Sequence, residues 1–116
     1  MITFACKKIN VLDVIKCSLS LTKSELILFD LFVNDDQAYS TTELSKKLKL
    51  DISTIQRGVK KLFEQEIIVR KQINVENGGY YFIYQSKPKA EIRAKITQIV
   101  QTWSASVDKT LKAYLG

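Results

Sequence analysis

Apolar side chains recur along most of this chain with helical spacing, except across residues 67–85, where β-branched and aromatic residues typical of strands flank a turn. Spacings of about three to four residues across residues 10–18 and 23–33 each predict an amphipathic helix. A short third helix is predicted over residues 42–48, and a fourth begins at Ser53. Residues 67–75 are rich in β-branched side chains and predict a strand, and residues 89–115 predict one long final helix.

The two middle helices and the tight connection between them, within residues 41–66, have the pattern of a helix-turn-helix motif. In the second of these helices, Ile55, Val59 and Leu62 fall on one face. The opposite face carries polar and basic side chains, namely Ser53, Arg57, Lys60 and Lys61. A helix with an apolar inner face and a basic, hydrogen-bonding outer face is suited to the major groove of DNA. An ordinary solvated helix surface is the alternative interpretation of these charges.

Local sequence signals indicate where these two helices begin and how closely they pack. Ser53 followed by Gln56 fits a capping box, which predicts that the second helix starts at Ser53. Thr41 or Thr42 is predicted to cap the first helix. Gly58 lies inside the second helix, where glycine costs about 1 kcal/mol relative to alanine. We therefore expect the first helix to approach the second closely at this glycine.

A predicted β-hairpin follows the second helix directly. Its turn, residues 76–79, contains Asn-Gly, the strongest short hairpin signal, and residues 80–85 return as the partner strand. Residues 38–40 are expected to add a short strand beside it. A helix-turn-helix followed by a hairpin is the element order of a winged helix, with Arg70 and Lys71 at the base of the wing and Asn77 near its tip. The predicted fold class is therefore mainly α with a β-hairpin wing (α+β), a winged helix-turn-helix with a long C-terminal helix.

The final helix is predicted to be too long for the rest of the chain to cover. At about 1.5 Å per residue, a helix over residues 89–115 extends about 40 Å. Its apolar stripe therefore needs a partner, and a second copy of the same helix is the simplest one. Folding back onto its own domain is the alternative. The stripe that we expect at a homodimer interface consists of Ile92, Ile96, Ile99, Trp103, Val107, Leu111 and Tyr114.

The chain of 116 residues is predicted to form one structural unit with three segments. Residues 1–20 supply an N-terminal helix to the core or the dimer interface, residues 21–87 form the winged helix-turn-helix, and residues 88–116 form the dimerisation helix. The formal net charge of +6 favours polyanionic partners. No apolar stretch approaches the length that spans a membrane, and the first residues do not resemble a secretory signal, so a cytoplasmic location is expected.

The residue types that carry most enzyme chemistry and metal binding are scarce in this sequence. It contains no histidine and two cysteines, Cys6 and Cys17, whose spacing fits neither a zinc finger nor a zinc ribbon. No nucleophile–base pair or glycine-rich phosphate loop is recognisable, so we expect no metal, no cofactor and no enzymatic activity. The cysteines are interpreted as small, partly buried apolar residues, with a redox-sensing pair as the open alternative.

Several segments, taken in order, resemble one group of DNA-binding proteins. They are LTKSE at 21–25, TELSKKL at 42–48, STIQR at 53–57, LFEQEIIVR at 62–70 and YYFIY at 80–84. This series is similar to the small archaeal winged-helix transcription regulators of the TrmB-like and MarR-like group. The resemblance implies a dimeric repressor or activator that binds a pseudo-palindromic promoter element. Glu66 stands where these proteins usually have glycine at the turn into the wing, and no counterpart of the sugar-binding domain of longer TrmB-like proteins is present, so sugar sensing is not implied.

These expectations define a candidate interface for double-stranded DNA. Hydroxyl and N–H groups at the start of the helix over residues 42–48 are expected to hold a phosphate. Thr54, Gln56 and Arg57 are expected to reach base edges, and nearby basic side chains to neutralise phosphates. The complete expected set is Ser40, Thr41, Thr42, Ser53, Thr54, Gln56, Arg57, Lys60, Lys61, Arg70, Lys71 and Asn77. Two other functions stay open, a module for protein–protein contact and a regulator that senses a ligand or oxidant at the dimer interface.

Overall fold

Helices and short strands follow one another in the order that the sequence predicts for a winged helix. The computed structural model describes residues 2–116. It confirms the predicted fold class, including the wing and the long final helix. The elements are β1 (Ile2–Phe4), β2 (Lys7–Ile9), α1 (Val11–Ser18), α2 (Lys23–Asn34), β3 (Tyr39–Ser40), α3 (Thr41–Leu48), α4 (Ile52–Glu64), β4 (Ile68–Asn74), β5 (Tyr80–Ser86) and α5 (Lys89–Leu115).

The core lies between α2, α3, α4 and the base of the wing. Phe32, Leu44 and Leu62 are fully buried there, and Ile92 closes the core from α5. The wing belongs to an antiparallel sheet with the strand order β3-β5-β4. The short strand expected over residues 38–40 is thus present as β3. Strand β5 lies in the middle of this sheet and pairs with β3, which leads directly into α3. This pairing anchors the wing to the helix-turn-helix.

The first nine residues contain an element that the sequence analysis did not predict. Strands β1 and β2 pair as an antiparallel hairpin, and the helix predicted over residues 10–18 follows it as α1. Asn10 caps that helix, since its side chain accepts a hydrogen bond from the Leu12 N–H at 2.9 Å. Strands of three residues are too short to show a period of two in the sequence, which is why the pattern gave no signal.

The turn from α4 into the wing has the left-handed backbone geometry that glycine usually supplies. Glu66 has φ +63°, and the turn is closed by two hydrogen bonds, from the Ile67 N–H to the Leu62 carbonyl at 2.9 Å and from the Glu66 N–H to the Phe63 carbonyl at 3.0 Å. This is a Schellman motif, with the buried Ile67 as its apolar anchor. The chain therefore keeps the geometry of the turn although it lacks the glycine.

We expect the substitution Glu66→Gly to stabilise the protein by about 1 kcal/mol, because a side chain in the left-handed region costs about that much. The carboxylate that is lost lies 3.9 Å from Lys95 Nζ on the surface, where an ion pair contributes little. Urea unfolding of the wild type and the variant measures the difference. Glu66→Ala is the control, since it removes the carboxylate and keeps the strain; an equal gain from alanine would contradict this explanation.

Helix α5 leaves the body of the molecule after its first turns. Ile92 is buried, Ile96 and Ile99 are partly buried against the core, and every residue from Gln101 onward is exposed. The molecule is consequently elongated, with extents of 67 × 24 × 23 Å. The prediction of a final helix that outruns its own domain is confirmed by these dimensions.

Candidate nucleic-acid interface

Helix α4 presents opposite faces to the core and to solvent. Ile55, Val59 and Leu62 are buried, as the pattern predicts. Ser53, Arg57 and Lys60 are exposed on the other side. The helix therefore holds a polar and basic surface outward, and its buried stripe fixes the direction in which that surface points.

The starts of α3 and α4 differ from the predicted ones. Ser40, rather than Thr41 or Thr42, caps α3, in a reciprocal capping box with Glu43. Asp51 caps α4, so the capping box predicted from Ser53 and Gln56 is wrong. A carboxylate accepts hydrogen bonds more strongly than a serine hydroxyl and therefore takes the capping position. The Ser53 hydroxyl and the Ser53 N–H both donate to Asp51, and they hold the pKa of its carboxyl below the usual range.

Gly58 permits a close helix contact, but with a different partner from the expected one. A Cβ atom at this position would lie 2.8 Å from Cδ2 of Leu28, a buried residue of α2. The expectation that α3 makes the close approach is therefore wrong. Helix α2 packs directly on the α4 backbone at Gly58. The short distance between these two helices fixes the position of the outer face of α4 relative to the core.

Lys61 does not share the outward direction of Lys60. Its Nζ lies 3.2 Å from Glu25 Oε1 and donates to the carbonyl of Ser20, at the turn between α1 and α2. One residue along a helix turns the side chain by about 100°, which carries Lys61 from the outer face toward α2. Gln65, one turn further on, donates to the Leu19 carbonyl at 2.6 Å. Lys61 and Gln65, the residue that follows α4, fasten the end of this helix to the turn after α1, so Lys61 does not lie on the outward face where it was expected.

Arg70 lies between two aromatic rings. Its guanidinium carbon is 4.5 Å from the ring centroid of Phe63 on α4 and 4.5 Å from that of Phe82 on β5. Contacts with both rings favour the cation and hold the planar group in a defined orientation. Lys71 follows it in β4, and neighbouring residues of a strand point to opposite faces. The sequence grouped Arg70 with Lys71, whereas in the structure only Arg70 faces α4.

A cleft of about 980 Å³ lies between α4 and the wing, and half of the residues expected to bind DNA line it. From the expected set, the cleft collects Ser40, Thr41, Thr42, Gln56, Lys60 and Arg70. Ser53 and Arg57 lie beside it on the exposed face of α4, and Asn77 lies at the exposed tip of the wing. Thr54 is half-buried at the side of the helix. The carboxylates of Glu43 and Glu64 also line the cleft, so its charge is mixed rather than uniformly positive.

The aromatic lining of the cleft was missed by the sequence analysis. It consists of Phe63, Tyr81, Phe82 and Tyr84. The available signal was the group of aromatic residues in strand β5, of which Phe82 and Tyr84 share the face that bears Arg70, while Tyr81 belongs to the other face and borders the cleft. The sequence analysis treated this group only as evidence for a strand.

Several other features bear on what this surface is able to do. Within residues 2–116, no group of three or more His, Cys, Asp or Glu side chains is placed to hold a metal ion. No helix in the same range is long and apolar enough to cross a membrane. Cys6 and Cys17 are both free and exposed, so the interpretation of them as partly buried packing residues is wrong.

Comparison with known proteins relates most of the chain to a family and the whole chain to a solved structure. The model of the DnaD N-terminal domain family matches residues 9–107. A possible transcriptional regulator from Methanosarcina mazei Go1 is 49% identical, with a TM-score of 0.93, over 100% of this chain and 98% of that one. These matches confirm the resemblance to small archaeal winged-helix proteins, although the sequence analysis did not name the DnaD N-terminal domain family.

Two more distant relatives extend the comparison. A protein of the thermoacidophilic archaeon Sulfolobus tokodaii shares the fold, with a TM-score of 0.68 at 20% identity over 82% of this chain and 92% of that one. An uncharacterized protein of Methanocaldococcus jannaschii is 29% identical over 83 residues, which are 72% of this chain. The matched part is 61% of that relative, so the chain spans about three fifths of its length.

Proposed function

This chain belongs to the DnaD N-terminal domain family, and from that premise we propose that it is a transcription regulator that binds double-stranded DNA as a homodimer. The observation that carries the proposal is the position of Arg70, held between Phe63 and Phe82 beside the basic outer face of α4. A cation that is already oriented loses little conformational freedom when it meets a phosphate. The near relative from M. mazei is described as a possible transcriptional regulator, which supports the same function.

The cleft suggests how the duplex lies on the protein. Helix α4 enters the major groove with its exposed face toward the bases. One sugar–phosphate strand then occupies the cleft, between α4 and the wing, where Lys60 and Arg70 neutralise its charge. The Thr41 and Thr42 N–H groups have no partner within the first turn of α3, and they face a phosphate along the favourable direction of the helix dipole. The wing crosses to the adjacent minor groove.

Base recognition falls to the exposed polar residues of α4. Arg57 has the geometry for a bidentate contact with guanine, and Gln56 for one with adenine. Ser53 and Thr54, in the first turn of the same helix, accept or donate single hydrogen bonds. The homodimer places two such helices on successive half-sites of a pseudo-palindrome, with α5 holding the copies together.

The substitution Arg57→Ala is expected to weaken binding to a preferred site by about 1–3 kcal/mol and to leave binding to random duplex nearly unchanged, because it removes a base contact. Lys60→Ala is the matched control on the same helix; it is expected to weaken binding to both duplexes alike and to reduce the salt slope by about one. Fluorescence anisotropy in a salt series measures these effects, with a site selected from a random library.

Equal losses on the selected and the random duplex after Arg57→Ala would assign Arg57 to the phosphates. If the wild type bound neither duplex at low salt, the proposed function would be wrong. The exposed face of α4 would then be a solvated surface, and a module for protein–protein contact would be the better interpretation of the fold.

A further inference from the structure

Two exposed tyrosines stand on opposite faces of the wing beside its tip. Tyr80 is 63% exposed and Tyr81 is 47% exposed, and as neighbours in β5 they point to opposite sides of the hairpin. The turn beyond them is tight. The Val75 N–H donates to the Gly79 carbonyl at 2.9 Å, and Gly78 takes φ +87°. The end of the wing is therefore a narrow hairpin with one large ring on each face.

The wing is long enough to reach the next groove when α4 occupies the major groove. Strands β4 and β5 have 7 residues each, which corresponds to about 23 Å at about 3.3 Å per residue. Adjacent major and minor grooves are half a helical turn apart, about 17 Å. The DNA strand that lies in the cleft between α4 and the wing supplies the sugar–phosphate backbone that separates these two grooves. The tip of the wing, with Tyr80 and Tyr81, then lies at the minor groove.

The tip of the wing, with the Tyr80 and Tyr81 side chains, is too wide for an undeformed minor groove. The minor groove of B-form DNA is about 6 Å wide. Two paired strands lie about 4.8 Å apart, and a layer of side chains on a sheet face adds several ångströms more. Inserting the tip therefore requires a wider groove, and aromatic side chains offset the cost by packing on the base steps or sugars that are exposed.

The wing is also braced against the recognition helix. The Tyr80 ring meets Phe82 edge to face at 5.6 Å, Phe82 stacks on Arg70, and Arg70 stacks on Phe63 of α4. This row of contacts runs without interruption from the tip of the wing to the helix. When α4 and the wing bind neighbouring grooves, these contacts keep the wing from bending away from α4. The DNA therefore deforms instead of the wing.

We propose that the wing widens the minor groove and bends the bound duplex, with Tyr80 and Tyr81 as the side chains that support the distortion. The inference rests on the proposed function, since the wing meets the minor groove only if α4 binds the duplex. The inference adds an activity to the proposed function, because the protein would change the shape of the DNA as well as bind it.

The experiment uses a short duplex, about three helical turns long, that carries a fluorescence donor at one end and an acceptor at the other. The wild type is expected to raise the transfer efficiency on binding. It is also expected to bind a duplex with a central mismatch about tenfold more tightly than the fully paired duplex, because a mismatched step is already partly unstacked. In the double variant Tyr80→Ala/Tyr81→Ala, both effects are expected to disappear, and binding to the paired duplex is expected to weaken but persist, because Arg57, Lys60 and Arg70 are unchanged.

The double variant Tyr80→Phe/Tyr81→Phe retains both rings and is expected to bend DNA like the wild type. Both tyrosines are exposed, so thermal unfolding of each variant, followed by circular dichroism, is expected to match the wild type. Binding by the wild type with no change in transfer efficiency, or equal bending by the alanine variant, would overturn this inference and leave the proposed function intact. Failure of the wild type to bind either duplex at low salt would overturn both.

Discussion

The double variant Trp103→Glu/Leu111→Glu is expected to be a monomer and to bind a selected DNA site about 100-fold more weakly than the wild type. The weakening follows because the second half-site is no longer bound by a linked copy, and linkage typically contributes a factor of about 10² or more. Both side chains are exposed in the single chain, Trp103 by 63% and Leu111 by 49%. Glutamate at these positions is compatible with a helix, so α5 itself is expected to persist.

The reason to place the interface on α5 is the continuity of its apolar stripe. Ile92 and Ile96 pack on the core, and Trp103, Val107 and Leu111 continue along the same side of the helix into solvent. The covered part of the stripe, near the core, and the part that no element within residues 2–116 covers therefore lie on one face of α5. In the proposed homodimer, a second copy of α5 would extend the existing apolar packing without a new type of contact.

Ala105→Glu is the matched control for this prediction. Ala105 lies on the exposed distal part of the same helix, about 120–160° around it from Trp103 and Leu111, and the substitution adds one of the two negative charges that the double variant adds. It is expected to leave the protein dimeric. Light scattering gives the mass of each protein, and anisotropy gives the affinity. A wild type that is monomeric at the concentrations where it binds DNA would contradict the prediction, as would equal effects of the stripe and control substitutions.

The spacing of apolar residues predicted the helices of this fold well, because each buried helix face is formed by several apolar side chains. The stripes of α4 and α5 each depend on several apolar side chains, and one unusual residue does not obscure them. The position of the wing followed from the Asn-Gly turn and the strands around it. These signals placed Gln56, Lys60 and Arg70 on two successive elements, but they did not predict the cleft that lies between those elements.

Single contacts decided the features that the sequence did not predict. Lys60 and Lys61 are adjacent and identical in type, yet only Lys61 meets Glu25, because the angular offset between them directs one toward α2. Asp51 competes with Ser53 for the same cap, and a propensity argument treats the two as near equals. Glu66 adopts a glycine-like conformation that no local preference favours, because the buried Ile67 and two backbone hydrogen bonds outweigh its strain.

Replacing Arg70 with alanine is expected to weaken DNA binding by about 3 kcal/mol, roughly two orders of magnitude in Kd. Two losses combine in this variant. The cleft loses the guanidinium that faces the phosphate strand, and Phe63 and Phe82 lose the group that joins α4 to the wing. Arg70→Lys keeps the charge without the planar group that stacks on both rings, so an intermediate affinity is expected. Arg70→Met keeps an apolar filler without the charge, which separates the packing contribution from the electrostatic one.

Lys71→Ala is the control that makes the Arg70 result informative. It removes one positive charge from the adjacent position of the same strand, on the face that points away from α4. We expect the Kd for DNA to rise by no more than about threefold, the scale of a distant and screened charge. Anisotropy at constant salt compares the four variants with the wild type, and urea unfolding checks that each is folded. If Arg70→Ala and Lys71→Ala weakened binding equally, net charge rather than the clamped guanidinium would control affinity, and the role of the cleft would have to be abandoned.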